Sequence, residues 1–261
     1  MTRALLDIEN LKIGVQGEWE YAELIKGLNL KIEELQIVSL VGASGSGKTT
    51  IGLATLGLLP NAMGVIDGKI IFNGENILDF SQMRMRQLRG KEIGMIFQEP
   101  LSAFNPLFKI GYQIEETLKF HTKLKRRQRK EKVWRLLDSV GILDPKRVAN
   151  QYPHQLSGGM RQRAMIAQVM STDPKLIIAD EPTSNLDVTL QALIIELFRK
   201  LKSEFKVSIL LITHDLGVVN ELADRVAILF DGRIVEAGKT EEVLSNPRHP
   251  FTCELVNAVM A

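Results

Sequence analysis

Residues 37–55 read IVSLVGASGSGKTTIGLAT, and this stretch decides the fold class. Its first five residues form a mostly apolar run, which is typical of a strand buried on both faces of a parallel sheet. Residues 42–49 match the pattern G-x-x-x-x-G-K-[ST], and apolar residues at helical spacing follow them. A strand, a glycine-rich turn and a helix in this order predict an α/β domain with an anion site where the helix begins.

The residue types in this loop indicate what it binds. Glycines let successive backbone N–H groups wrap a phosphate chain, and the positive end of the following helix points at the same anion. Lys48 can reach the β- and γ-phosphates of a nucleotide, and Thr49 can offer its hydroxyl to magnesium. A glycine-rich turn without a ligand is the competing interpretation, and the flanking strand and helix disfavour it.

Three further apolar runs end in polar residues. They are 93–97 before Gln98, 176–179 before Asp180 and Glu181, and 208–213 before His214. In open parallel sheets ligands bind outside the carboxyl ends of the strands, so these side chains are expected to gather at one edge with the phosphate loop. Helical patterns at 160–170, 190–205 and 217–223 supply the crossovers between strands.

The two carboxylates at 180 and 181 predict hydrolysis rather than binding alone. An acidic residue that closes a buried strand is costly to place unless it meets a cation, so Asp180 is predicted to hold magnesium, directly or through water. Glu181 is then placed to orient or deprotonate a water that attacks the γ-phosphoryl group. An exposed acidic turn before Pro182 is the alternative. Gln98 and His214 are weak candidates individually and gain weight from their predicted place at the nucleotide edge.

Residues 156–162, LSGGMRQ, form a second glycine-rich entry to a helix, with Ser157 as the predicted N-cap. The helix dipole makes this a second predicted anion site, more than a hundred residues from the first. Two such sites in one chain suggest that chains pair.

Composition limits the remaining possibilities. The 261 residues are 45% hydrophobic and 25% charged, which is average for a globular protein, and the net charge of +2 gives no support for a polyanionic partner. Cys253 is the single cysteine, so no internal disulfide or cysteine-rich metal site is expected, and a reducing cytosol is the expected compartment. No signal peptide or membrane span is expected. A hairpin is predicted over 226–238 around Asp231-Gly232.

Together these motifs resemble the ATP-binding cassette (ABC) ATPases, in the family's order and over nearly the whole chain. Residues 42–49 look like the Walker A loop, Gln98 like the Q-loop, 156–162 like the signature motif, 176–181 like Walker B, 184–187 like the D-loop, and His214 like the switch histidine. The resemblance implies a single domain over 1–261. It has an α/β P-loop NTPase sheet core (1–97 and 156–261), an antiparallel β subdomain, and an inserted helical subdomain at about 98–155.

The resemblance also implies ATP and Mg²⁺ as ligands, and it assigns roles to individual residues. The residues expected to bind the nucleotide are Gly42, Ser44, Gly45, Ser46, Gly47, Lys48, Thr49, Thr50, Ser157, Gly158 and Gly159. The expected magnesium ligands are Thr49, Gln98 and Asp180, and the expected catalytic residues are Glu181, His214 and Gln98. Two such ATPases are expected to face each other head to tail, with each ATP between one chain's Walker A loop and the other chain's signature residues.

One contact has two candidate residues, and two positions depart from the family pattern. Trp19 or Tyr21 would stack on adenine, and the spacing to Gly42 favours Trp19, with a surface aromatic as the alternative. Leu35 stands where the family usually turns on a glycine, and Asn185 replaces a common alanine of the D-loop. None of these departures removes a catalytic group.

Within the family, four stretches look like the oligopeptide, dipeptide and nickel importer branch: 102–106 (SAFNP), 152–155 (YPHQ), 161–163 (RQR) and 249–252 (HPFT). The short tail with only Cys253, together with the stretch 102–107 (SAFNPL), favours nickel or metal-chelate import slightly over peptide import. The expected protein is a peripheral ATPase subunit on the cytoplasmic face of the membrane.

The expected partners of such a subunit are a second ABC ATPase, two membrane permease subunits and, indirectly, an extracytoplasmic solute-binding protein, with no nucleic acid. A heterodimer is favoured over a homodimer. Residues 98–105 and 151–155 are expected near the permease-docking groove. A soluble ABC ATPase acting on nucleic acid or ribosomes is the alternative function. The basic run 123–132 lacks interleaved aromatics, so a solvated helix face is favoured there over a nucleic-acid or lipid patch.

Overall fold

The computed structural model describes residues 4–17, 21–184 and 186–260, with only the backbone of residues 21, 259 and 260. The strands are β1 (Ala4–Gln16), β2 (Tyr21–Glu33), β3 (Ile37–Gly42), β4 (Met63–Phe72), β5 (Glu75–Asn76), β6 (Ile93–Ile96), β7 (Leu176–Asp180), β8 (Ser208–Thr213), β9 (Arg225–Phe230) and β10 (Arg233–Lys239). The helices are α1 (Lys48–Thr55), α2 (Gln82–Leu88), α3 (Ile110–His121), α4 (Arg126–Ser139), α5 (Pro145–Ala149), α6 (Gly158–Met170), α7 (Val188–Ser203), α8 (Leu216–Leu222), α9 (Thr240–Ser245) and α10 (Pro250–Met260). The chain divides into two compact units, one containing the residues up to Met85 and from Lys206 onward, the other containing Arg86–Phe205.

The first unit contains strands of two kinds. Antiparallel strands lie in the order β2-β1-β4-β5, and a second set lies in the order β10-β9-β3-β8. Every residue of β3 is buried, and β3 pairs in parallel with both β8 and β9. Burial of both of its faces explains why 37–41 is almost entirely apolar. The predicted strands at 37–41 and 208–213 are confirmed.

The predicted hairpin is also confirmed, as β9 and β10 pair antiparallel around Asp231 and Gly232. Both turn residues have positive φ, 45° and 73°, as a two-residue turn of the primed type requires. The Asp231 carboxylate accepts a hydrogen bond from Lys26 Nζ at 2.7 Å. The turn is thereby tied to β2.

The HPFT stretch (249–252) forms the start of α10 and contacts the hairpin. The Glu236 carboxylate on β10 accepts hydrogen bonds from the backbone N–H groups of Arg248 and His249, each at 3.0 Å. Burial alone would raise the pKa of Glu236, but the hydrogen bonds at the start of α10 outweigh burial and lower that pKa below its ordinary value. The Phe251 ring lies 4.3 Å from the Phe230 ring, centroid to centroid. The start of α10 is thus fixed to the hairpin by polar and aromatic contacts.

The second unit holds the parallel pair β6 and β7 together with α3–α7. The pairing of Ile93 with Leu176 through Ile96 with Ala179 brings the carboxyl ends of the two strands together. Phe97 lies outside β6 and is 39% exposed, so the predicted end of that strand is wrong by one residue. Helices α3, α4 and α6 pack against one another. The limits 98–155 for a helical subdomain stay a prediction.

Across the described ranges of the chain, no helix combines the length and the apolar character needed to cross a membrane.

Candidate nucleotide-binding site

The loop after β3 folds around its own lysine. Lys48 is the first residue of α1 and is only 7% exposed, and its Nζ donates hydrogen bonds to the carbonyl oxygens of Gly42 (2.8 Å) and Ala43 (2.9 Å). Burial of an ammonium group requires such partners. The positive charge of Lys48 is therefore held inside the loop at the start of α1. The positive end of the helix dipole lies at the same place, so the two together favour a bound anion.

The glycines and serines of the loop leave room for a phosphate chain. A Cβ at Gly45, whose φ is +78°, would meet nothing within 4 Å, whereas one at Gly42 would lie 2.4 Å from the Leu229 carbonyl oxygen. The Ser46 hydroxyl is buried and, in the described part of the chain, has no hydrogen-bond partner. Buried hydroxyls are normally paired, so this one fits a ligand oxygen. Ser44 and Thr49 are exposed, Gly47 is half-buried, and Thr50 is buried.

His214 leaves the sheet beside this loop. Val41 pairs with Thr213 in the parallel register of β3 and β8, so Gly42 and His214 follow adjacent strand ends. The His214 side chain is exposed. The prediction that these two strand ends share one edge is confirmed for this unit.

The second unit places the predicted carboxylates at the end of β7. Asp180 is the last residue of the strand and is 5% exposed. Glu181 is half-buried and has φ +46°, an uncommon backbone conformation for a non-glycine residue that is enriched at functional sites. Its carbonyl oxygen accepts hydrogen bonds from the N–H (3.2 Å) and the Oγ (2.8 Å) of Ser184. Gln98 is exposed and lies two residues beyond the end of β6, the neighbouring strand.

The magnesium ligands predicted from the sequence have suitable chemistry. The hydroxyl of Thr49, the amide of Gln98 and the carboxylate of Asp180 offer the oxygen donors that Mg²⁺ prefers when it also binds substrate phosphates. Thr49 and Gln98 are exposed, and Asp180 is the buried carboxylate of the set.

The signature residues form the start of α6. The Ser157 Oγ accepts a hydrogen bond from the Met160 N–H at 3.3 Å, which confirms the predicted N-cap. A Cβ at Gly158 would meet nothing within 4 Å, but one at Gly159 would lie 3.0 Å from Leu190 Cδ2. Gly158 therefore faces open space, while Gly159 packs closely against the Leu190 side chain of α7.

Comparison with known proteins decides the family. The ABC transporter family model matches residues 25–184. The oligopeptide transport ATP-binding protein OppD of Bacillus subtilis is 44% identical over 253 residues, which cover 97% of this chain and 71% of that protein. OppD of Lactococcus lactis subsp. cremoris is 43% identical and is matched over 97% of this chain and 75% of its own length. The chain belongs to the ABC transporter family.

Solved ABC structures agree with this assignment. The ATP-binding cassette MJ0796, in a dimeric post-hydrolysis state bound to ADP and Pi, has a TM-score of 0.80 and 28% identity, and the match covers 90% of this chain and 98% of that one. The cbiO1 protein of Clostridium perfringens, part of the ABC transporter complex cbiONQ, has a TM-score of 0.79 and 26% identity, with 93% and 91% of the two chains covered. The predicted ABC ATPase fold and the predicted ATPase activity are confirmed.

Not every predicted ABC position can be placed. Trp19 and Asn185 lie outside the described residues, as does the side chain of Tyr21, so the adenine contact stays a prediction. Leu35 has φ +60°, and its N–H donates to the Ser208 Oγ at 2.9 Å. The turn therefore keeps the left-handed conformation that a glycine would adopt there at lower cost.

Sequence reasoning missed two buried glutamines that position ABC motifs. The Gln162 Nε2 donates to the Pro182 carbonyl oxygen at 2.8 Å, which ties the signature helix to the turn after Walker B. Gln113 on α3 donates to the carbonyl oxygens of Asn105 (3.0 Å) and Phe108 (2.9 Å) and accepts from the Asn105 N–H (2.9 Å). A buried amide in an apolar helical pattern is the only signal, because its partners are set by tertiary structure.

Proposed function

We propose that this chain is the ATP-hydrolysing subunit that energises a membrane importer of di- or oligopeptides. The observation that carries the proposal is the identity of 44% to OppD of B. subtilis over 97% of this chain, because OppD is named for oligopeptide transport. Nickel or metal-chelate import is the second candidate, since SAFNP and HPFT resemble both kinds of importer. No finding supports the alternative of an ABC ATPase acting on nucleic acid or ribosomes.

Each motif residue has a proposed role in hydrolysis. The N–H groups of 42–49 and the Lys48 ammonium bind the phosphates, and the Ser46 hydroxyl adds a hydrogen bond. Thr49, Gln98 and Asp180 would hold Mg²⁺, which neutralises charge on the β- and γ-phosphates. The residue-specific roles in catalysis fall on Glu181, which orients and deprotonates the attacking water, and on His214, which contacts the γ-phosphate.

The signature residues are proposed to act on a nucleotide held by another ATPase. The exposed Ser157 and the open face of Gly158 present an uncovered anion-binding helix start, which supports this role. MJ0796, whose structure is dimeric, provides the precedent for pairing. We propose a head-to-tail pair, with a related second ATPase favoured over a second copy.

An exposed apolar patch in the second unit supports docking to a permease. It consists of Leu101 (47% exposed), Leu107 (78%), Phe108 (45%) and Tyr112 (51%). The Phe108 and Tyr112 rings lie 5.1 Å apart, centroid to centroid. Paired exposed aromatic rings, with further exposed leucines on the segment before them, are typical of interaction surfaces.

Hydrogen bonds hold the segments around this apolar patch. Gln113 fixes Asn105 and Phe108, and the Ile110 N–H donates to the Gln151 carbonyl oxygen at 2.9 Å. Both stretches expected near the docking groove are therefore tied to the start of α3. We propose that a permease subunit binds here, so that the chain lies on the cytoplasmic face of the membrane and contacts a solute-binding protein only indirectly.

Replacing the proposed catalytic carboxylate tests the mechanism. Glu181→Gln keeps the size of the side chain but removes its basicity, so hydrolysis should fall by about 10²–10⁴-fold while ATP binding persists and the ATP-bound pair accumulates. Glu196→Gln, which changes an exposed carboxylate on α7, is the control. Hydrolysis of Glu181→Gln at the rate of this control would reject the assigned role.

Copurification tests the importer function. The chain isolated from membranes should bring a permease and a receptor, and the receptor should carry bound peptide. Bound nickel or a metal chelate would select the second candidate. Hydrolysis that no permease or receptor affects would contradict importer function altogether.

A further inference from the structure

The first half of α4 and the residues before it carry a strong local charge. Residues 123–135 contain eight Lys and Arg side chains and one acidic residue, Glu131, in a chain whose net charge is only +2. No acidic residue occupies the first turn of α4, where the helix dipole favours negative charge. Like charges at this spacing repel one another, and no carboxylate in that turn offsets them.

Internal ion pairs account for only some of these cations. Arg129 pairs with Glu115 (3.3 Å), Lys132 pairs with Asp173 (2.8 Å), and Arg127 and Arg135 share Glu131 (3.1 and 3.9 Å). Within the described ranges, the side chains of Lys123, Lys125, Arg126 and Lys130 make no ion pair, and all four are exposed. Four cations therefore remain available to an anionic partner.

The helix brings an aromatic side chain to the same surface. Arg126, Arg127, Lys130 and Trp134 line one open groove together with Glu131, whose carboxylate pairs with Arg127. The Lys146 Nζ lies 5.1 Å from the centroid of the Trp134 ring, which holds the ring at the edge of the groove. Tryptophan beside exposed cations is typical of surfaces that meet the membrane–water interface.

This surface continues into the apolar patch. Lys130 and Trp134 also line a second groove, whose other wall includes Tyr112 and Lys109 of the α3 region. Tyr112 is a member of the patch proposed to bind the permease. We propose that Lys123, Lys125, Arg126, Lys130 and Trp134, the α4 basic face, bind the anionic phospholipid headgroups that surround the permease. The proposal rests on the proposed function, since only a membrane-docked ATPase would place this face against a bilayer.

Vesicle binding by the full-length chain tests the proposal. The probes are vesicles of equimolar phosphatidylglycerol and phosphatidylcholine, and vesicles of phosphatidylcholine alone, in a cosedimentation assay. Each basic side chain near an anionic surface is worth about a five-fold change in partitioning, so Arg126→Gln with Lys130→Gln should weaken binding to the anionic vesicles by about 30-fold. Lys69→Gln with Arg233→Gln removes the same charge from exposed sites in the other unit and should leave binding unchanged.

Tryptophan fluorescence supplies a second readout. The chain has two tryptophans, so Trp19→Phe leaves Trp134 as the only reporter. Its emission should shift to the blue on anionic vesicles and be quenched by brominated lipid. Equal binding to both kinds of vesicle, an equal loss in the Lys69/Arg233 variant, or an unquenched Trp134 would overturn the proposal. Displacement by inorganic phosphate at constant ionic strength would assign the cations to a free anion and also overturn it.

The outcome is separable from that of the proposed function. In detergent without anionic lipid, the Arg126/Lys130 variant should bind the permease and be stimulated like the unmodified chain. In bilayers containing phosphatidylglycerol, it should need a higher concentration to reach the same stimulation. Loss of permease binding in both settings would instead count against the placement of the docking patch and against the lipid face.

Discussion

Gly158→Ala separates the binding role of the signature helix from its role in folding. The added methyl group would meet no atom within 4 Å, and Gly158 is the first residue of α6. An alanine that fits the backbone conformation restricts the unfolded chain, so the free energy of unfolding should stay the same or rise by about 0.4–1 kcal/mol. Gly159→Ala provides the contrast, because its Cβ would lie 3.0 Å from Leu190 Cδ2, so the Leu190 side chain would have to shift to admit the methyl group.

The functional effect of Gly158→Ala should be opposite in sign. The methyl group would occupy the space through which a phosphate approaches the N–H groups of α6. Loss of one hydrogen bond to a charged group is worth about 1.5–3 kcal/mol, which corresponds to a fall of about 10- to 150-fold in hydrolysis by the assembled pair. ATP binding by the variant's own Walker A loop should not change.

Two measurements check this prediction. Urea denaturation gives the free energy of unfolding, and phosphate release gives the hydrolysis rate of the chain together with the ATPase that copurifies with it. A variant of unchanged or higher stability that hydrolyses ATP at the unmodified rate would refute the inference that the open face of Gly158 meets a nucleotide. A destabilised Gly158→Ala variant would refute the inference that a methyl group at position 158 meets no other atom.

Gln113→Leu should leave the backbone groups of Asn105 and Phe108 without their hydrogen-bond partner. The free energy of unfolding should therefore fall by about 1–3 kcal/mol in urea titrations. The variant should reduce permease-stimulated hydrolysis while basal hydrolysis persists. Gly42→Ala should destabilise the chain by about 1–3 kcal/mol and abolish ATP binding, because its Cβ would lie 2.4 Å from the Leu229 carbonyl oxygen, with Gly158→Ala as the sterically open comparison. Because the pKa of Glu236 is lowered in the folded state, its charged form stabilises the fold fully at pH values above the ordinary pKa of 4.5. This contribution is lost as the pH falls through the lowered pKa. The excess in Tm of the unmodified chain over Glu236→Gln should therefore shrink on acidification, and an excess that is constant with pH would contradict this.

The sequence predicts the strands around the nucleotide edge because burial on both faces leaves a simple signal. β3 and β8 are apolar almost throughout; β3 ends at the first glycine of the phosphate loop, and β8 is followed directly by His214. β1 and β2 lack this clarity, because their pairing contains several register shifts that interrupt the alternation of buried and exposed residues. Only the family resemblance indicated an antiparallel sheet there.

The sequence predicts which residues bind the nucleotide but not the contacts that hold those residues in place. The pattern at 42–49 identifies Lys48 as a phosphate ligand, yet it gives no sign that the carbonyl oxygens of Gly42 and Ala43 hold the ammonium group. Nothing in the local sequence distinguishes Gly158 from Gly159. Only the position of Leu190 shows that Gly159 packs against α7 while Gly158 faces open space. Such differences depend on residues distant in sequence, which local patterns do not contain.

The basic run shows how a helix changes the interpretation of a linear pattern. Read along the chain, 123–132 contains no aromatic residue, which favours a solvated face. In α4, Trp134 lies one turn beyond Lys130 and lines the same groove as Arg126, so the aromatic and the cations form one surface. Internal carboxylates pair with Arg129 and Lys132 but leave Lys130 and Arg126 unpaired, and both of these unpaired cations line the groove that contains the tryptophan. Unpaired cations beside an aromatic ring are what a face that meets anionic lipid headgroups would present.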